Sequence, residues 1–167
     1  MRIRALVAVL ALFTIACEKE KEDDLSPEQV AQIKKDVAAA TDTIVARFNR
    51  GDLNGALAIY HESPEFVMLG ADGAKLDYAA NKKASVDMVA SAASIAITTK
   101  SHDCSVMTPE LAICAWTGTE EVVLKAGDTV TYAPFAVTLV YKKFDDQWKV
   151  TYSHESGTVT TKKAAKK

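Results

Sequence analysis

Apolar residues fall at two different spacings along this chain, and the change comes near Ser94. Before it, Val30, Ile33, Val37, Ile44 and Phe48 recur at intervals that keep side chains on one face of a long α-helix. Ser26-Pro27-Glu28-Gln29 forms a capping box with proline at the first helical position, and Gly51 supplies a left-handed stop. Asp52 can cap a second, shorter helix through Ala56, Leu57 and Tyr60, which Pro64 ends. Glu65 to Leu69 reads as a strand and Ala71-Asp72-Gly73 as a turn. A third helix is predicted over about Tyr78 to Ala92, with Val86 and Val89 on its apolar side. After Ser94 the period becomes two. Strands are predicted at 95–106, 111–124, 129–142 and 147–156, with turns at Pro109, Gly127-Asp128 and Asp145-Asp146. Helices followed by an antiparallel meander predict an α+β domain with three N-terminal helices packed on one sheet face.

The last strand suggests which face is covered. Trp148, Val150, Tyr152 and His154 alternate with Lys149, Thr151, Ser153 and Glu155, and the first set is expected inward. A two-residue turn at Asp145-Asp146 would set Tyr141 beside Val150, Leu139 beside Tyr152 and Val137 beside His154. A turn at Met107-Thr108-Pro109-Glu110 places Cys104 opposite Cys114 and His102 opposite Trp116. The inward face would then carry a row of His102, Trp116, Val137 and His154, unless Gly118 bulges. Opposed cysteines on neighbouring strands are within reach of a disulfide; the alternative is a pair of buried thiols.

Composition is that of an ordinary globular chain: 167 residues, 49% hydrophobic, with a net charge of −2. No basic face marks a nucleic-acid binder, and no Cys or His pairs stand at zinc-ligand spacing. The N-terminus adds a location. Arg2 and Arg4 precede an uncharged run from Ala5 to Ala16, which as a helix spans only ~18 Å against a ~30 Å hydrocarbon core. The run ends Phe13-Thr14-Ile15-Ala16-Cys17, which resembles the lipobox of bacterial lipoproteins. That resemblance implies removal of residues 1–16, diacylation of Cys17 and export, with anchoring at an outer membrane or cell surface rather than an inner membrane. Residues 17–25 are then a charged tether, 26–157 the α+β domain, and 158–167 a basic flexible tail containing Lys162, Lys163, Lys166 and Lys167.

The order of elements resembles the nuclear transport factor 2-like superfamily, and within it the SnoaL-like and ketosteroid-isomerase-like domains. The matching pieces are the first helix ending Phe48-Asn49-Arg50-Gly51-Asp52, the segment Glu65-Phe66-Val67-Met68-Leu69-Gly70, and the closing strand Gln147 to Ser156 with its tryptophan and histidine. The resemblance covers about residues 27–156. It implies a cone-shaped, curved antiparallel sheet around an apolar cavity, often with homodimers formed through the sheet. Tyr60, Phe66, Trp116, Phe135, Tyr152 and His154 are the expected lining.

Among polar candidates, His154 suits proton transfer near neutral pH, and Tyr152 could donate a hydrogen bond. Either could equally be a packed residue with its polar atoms bonded. Asp77 reads as a helix cap, Asp103 as solvated and His61 as exposed. An isomerase of this fold needs a carboxylate base, and Glu155 is expected to point away from the cavity. The leading expectation is therefore an exported, membrane-anchored, non-catalytic lipoprotein with a pocket for a small apolar ligand, using no metal or cofactor. A cofactor-free enzyme using His154 and Tyr152 is the alternative. A third reading is a structural module that dimerises through Leu111, Ile113 and Ala115.

Overall fold

The computed structural model describes residues 25–165. The expected signal segment, Cys17, nearly all of the tether, and Lys166 and Lys167 lie outside the described residues. Among the described residues, no helix is long and apolar enough to cross a membrane.

The expected α+β architecture is present. Helix α1 (Pro27–Asn49) opens with the capping box, Ser26 Oγ accepting from the Gln29 amide. Helix α2 (Leu53–Leu57) is capped by Asp52, and α3 (Tyr78–Ser91) by Asp77, whose carboxylate accepts from the Ala80 amide at 2.8 Å. The strands are β1 (Val67–Leu69), β2 (Lys75–Leu76), β3 (Ala92–Thr108), β4 (Leu111–Leu124), β5 (Thr129–Phe144) and β6 (Gln147–Lys162). They form one curved, unclosed sheet in the order β2-β1-β6-β5-β4-β3. It is a meander only from β3 to β6, because short β1 joins β6 in parallel, Val67 facing Tyr152.

Helix α1 covers the sheet. Val37 and Ile44 are buried with Phe66, Cys104, Ala112, Cys114, Leu139, Tyr141 and Val150 in one core. Burying aliphatic or aromatic side chains of this size contributes roughly 1.5–3 kcal/mol each. The polar atoms inside are matched: Thr41 Oγ1 donates to Val37 O, and a 2.8 Å hydrogen bond links it to the Tyr141 hydroxyl. Asn49 ties α1 to edge strand β3 by bonding both the amide and the carbonyl of Ile97. The β3–β4 register is as predicted. Cys104 and Cys114 face each other and are joined by a disulfide, and His102 faces Trp116.

Three expectations need correction. The β5–β6 pairing begins as predicted, with Tyr141 opposite Val150, but Val140 then faces Tyr152, Leu139 faces Ser153 and Val137 faces Glu155. Thr151 is the extra residue of a β-bulge, and one inserted residue reverses which side chains reach the covered face. Tyr152 and His154 therefore turn outward, while Ser153, 1% exposed, turns in. Second, β6 continues to Lys162, where a flexible tail was expected from residue 158. Its end pairs with the start of β5, and Lys163 Nζ and the Ala164 amide both donate to the Asp128 carboxylate. The first residues of β5 need a neighbouring strand for their backbone groups, and residues 157–162 supply it. Third, Val86 on α3 is 45% exposed. The side of α3 that faces the interior carries Asn81, Ser85 and Met88, because it borders a hollow instead of a packed core.

Candidate active site

A cavity of about 360 Å³ lies between α1, α3 and the helix-facing side of the sheet. Its size is at the lower end of small-molecule sites. Helix α1 contributes Thr41, Ile44 and Phe48, and α3 contributes Asn81, Ser85 and Met88. Tyr60 reaches it from the segment after α2, where His61 N and Ile59 O both bond Val150 and fix the chain against β6. The sheet supplies Trp116 and Glu120 from β4, Tyr132, Phe135, Val137 and Leu139 from β5, and Glu155 from β6.

The aromatic wall is held rigidly. Trp116 and Phe135 meet edge to face with centroids 5.8 Å apart, and Tyr132 lies 5.2 Å from Phe135. The Trp116 indole donates to Thr99 Oγ1 at 3.0 Å, and its ring lies over Gly118. A Cβ at Gly118 would stand 2.1 Å from Thr98 O and 2.5 Å from the indole, so the wall needs glycine there.

Against this wall sit two carboxylates. Glu120 is 8% exposed. No Lys, Arg or His pairs with Glu120 or Glu155 among the described residues. Burial raises the Glu155 carboxyl from 4.5 to about 7, and the nearby charges of Glu120 and Asp72 add to the shift. Burial also raises Glu120. The Tyr132 phenol is pushed up by burial and then by Glu120, Glu155 and Asp72. The Tyr60 phenol is pushed well above its usual range, chiefly by burial. The cavity thus holds one carboxyl that titrates near neutrality, a second displaced the same way, and two phenols that stay protonated.

The sequence-predicted lining divides. Tyr60, Trp116 and Phe135 border the cavity. Phe66 lies behind it, 2% exposed, edge to face with Tyr60 and Tyr78. Tyr152 and His154 are on the opposite side of the sheet, and His154 is exposed. His102 faces α1, its Nε2 3.2 Å from Asp42 Oδ1, and does not border the cavity. Asp103 is exposed as expected, whereas His61 is half-buried and stacks on Phe144 at 4.0 Å. Among the described residues no group of three or more His, Cys, Asp or Glu could hold a metal ion. Sequence reasoning missed Glu120, Glu155, Tyr132 and Asn81. Glu120 was within reach, since a period of two from inward Trp116 passes through Gly118 to Glu120. The bulge that turns Glu155 inward has no local mark.

The profile of the SnoaL-like domain matches residues 37–160. No curated protein matches the sequence. Solved structures share the fold at low identity. A scytalone dehydratase candidate from Novosphingobium aromaticivorans superposes with a TM-score of 0.73 at 10% identity, covering 85% of this chain and 94% of its own. An NTF2-like superfamily protein from Salmonella enterica serovar Typhimurium gives 0.68 at 13%, covering 82% and 99%. A type 2 hexachlorocyclohexane dehydrochlorinase gives 0.67 at 7%, covering 83% and 94%.

Proposed function

This chain belongs to the SnoaL-like domain family, and from that premise we propose that its cavity performs cofactor-free proton transfer on a small, largely apolar ligand. The observation that carries the reading is Glu155: a carboxyl raised to about 7, facing an aromatic-walled cavity, without a cationic partner among the described residues. A base whose pKa lies near the working pH combines a substantial ionised fraction with a strong pull on the proton. In this reading the Glu155 carboxylate removes a proton from ligand carbon or oxygen. Tyr60 and Tyr132, held neutral by burial, donate hydrogen bonds to the oxygen on which charge develops. The earlier preference for a non-catalytic pocket rested on finding no inward carboxylate; Glu120 and Glu155 remove that ground. Two of the fold neighbours are named for eliminations, but at their identity the likeness speaks to fold alone.

A generic probe tests the base without knowledge of the natural ligand. In 5-nitrobenzisoxazole, loss of the ring C–H proton to a base breaks the N–O bond and releases a coloured nitrophenolate. The full chain should accelerate this with a rate that rises through a single ionisation near pH 7. Glu155→Gln should lower the rate by about a hundredfold, the lower end of general-base effects. Equal rates in the two proteins, or a flat pH profile, would sink the reading. The proposal also carries the location: Cys17 is taken as the acylated residue that holds the domain outside the cytoplasm. Cys17→Ser should move the protein from the membrane to the soluble fraction on cell fractionation. Unchanged membrane association would rule out the lipid.

A further inference from the structure

We infer that the cavity selects a cationic ligand, a protonated hydrophobic amine, because its lining has buried carboxylates and aromatic faces but, among the described residues, no basic side chain. The inference rests on the reading of this cavity as a small-molecule site and names the class of molecule that fits it.

The charge balance is one-sided. Glu120 and Glu155 border the cavity from β4 and β6, and Asp72, in the turn between β1 and β2, is close enough to act on Glu155 electrostatically. Among the described residues, no Lys, Arg or His lines the cavity. Glu120 is more than nine-tenths buried, borders the hollow and makes no ion pair or side-chain hydrogen bond among the described residues. Buried carboxylates are normally paired or hydrogen-bonded. An unpaired one facing an open hollow is complementary to a positive group supplied from outside.

The rest of the wall says what kind of cation fits. Trp116, Phe135, Tyr132 and Tyr60 present ring surface, and cations are attracted to aromatic faces. Absence of a metal-ligand cluster among the described residues points to an organic cation. An anionic ligand meets repulsion from Glu120 and Glu155. The groups facing Glu155 are Glu120 from β4, Tyr132 from β5, Tyr60 from the segment after α2 and Asp72 from the β1–β2 turn. Glu120 and Asp72 are carboxyl groups and the two phenols stay neutral, so a bound ammonium supplies the positive charge that these groups lack, and its arrival favours the ionised carboxylate.

The test compares three probes of one shape: 1-naphthylmethylamine as cation, 1-naphthylmethanol as neutral partner and 1-naphthoate as anion. Their affinities for the full chain are read by calorimetry at about pH 8 and about pH 5.5. The amine should bind at least about tenfold more tightly than the alcohol at the higher pH, a tenfold ratio being ~1.4 kcal/mol. Its affinity should fall at the lower pH, where the Glu155 carboxyl is protonated. The alcohol should bind alike at both, and the naphthoate weakest. Glu120→Gln and Glu155→Gln should each shrink the amine-to-alcohol ratio. Equal binding of amine and alcohol, or preference for the naphthoate, overturns the cation inference and leaves the small-molecule site standing. Binding of none of the three overturns both. The wild-type comparison needs no variant to fold.

Discussion

Replacing Glu155 by glutamine should make the protein more stable, and only above a definite pH. The Glu155 carboxyl is raised from 4.5 in the open chain to about 7 in the fold, first by burial and then by Glu120 and Asp72. A raised acid favours its protonated form in the native state. The native state is therefore unpenalised below about pH 4.5, loses stability as pH climbs from there to about 7, and carries the full penalty above it. A displacement of this size corresponds to at most about 3 kcal/mol. Water entering the cavity screens part of it, so about 1–3 kcal/mol is expected. Glutamine has the shape of the protonated acid and cannot ionise. Urea unfolding of both proteins at constant ionic strength, from about pH 4.5 to about pH 8.5, measures the difference. The two curves should coincide at the acid end and separate in the variant's favour above neutrality. A variant equally or less stable at about pH 8 would refute the account of an unpaired, desolvated carboxylate.

Three further outcomes follow from the geometry. Gly118→Ala forces a Cβ against Thr98 O and the Trp116 ring. It should cost about 1–3 kcal/mol and weaken the tryptophan near-ultraviolet circular dichroism, whereas an unchanged melting curve would contradict the close approach. Tyr141→Phe removes the hydroxyl bonded to Thr41, which keeps its bond to Val37 O, so a loss of about 1 kcal/mol is expected in urea unfolding. Asp146→Gly relieves a positive φ of 62° in the β5–β6 turn, where Asp145 is also positive. It should raise stability by about 0.5 kcal/mol, and a fall in melting temperature would count against that turn geometry.

The elements were legible because they rest on local chemistry. Ser26, Asp52 and Asp77 cap their helices, Gly127 and the Asp145-Asp146 pair turn their hairpins, and Cys104 meets Cys114 because a single short turn fixes their register. The site was half legible. Tyr60, Trp116 and Phe135 sit where the pattern put them. Tyr152 and His154 failed because a face assignment is propagated along a strand, and the single extra residue at Thr151 inverts everything beyond it. Alternation continues through Trp148, Val150, Tyr152 and His154 with no break. The competing information is nonlocal: β1 lies along β6 in parallel, pairing Met68 with Ser153. Val86 misled for a different reason. The inner side of α3 borders a hollow, and a helix facing a hollow need not carry its apolar residues there.

Whether Glu120 and Glu155 work as one unit can be decided by a double-mutant cycle. Each carboxylate bears a burial penalty of its own, and repulsion between them penalises the pair when both are ionised. Either single change to glutamine abolishes the repulsion entirely, so the two single gains each contain it, while the double variant contains it once. The double variant at about pH 8 should therefore fall short of the summed single gains by about 0.5–3 kcal/mol, the usual range for groups in one network. Lowering the pH toward about 4.5 protonates both acids and should erase the shortfall, which no effect of packing alone would do. Additivity within about 0.5 kcal/mol at both pH values would mean that the carboxylates do not sense each other. The Glu155 displacement would then rest on burial and Asp72 without Glu120, and the two cavity glutamates would be unrelated residues.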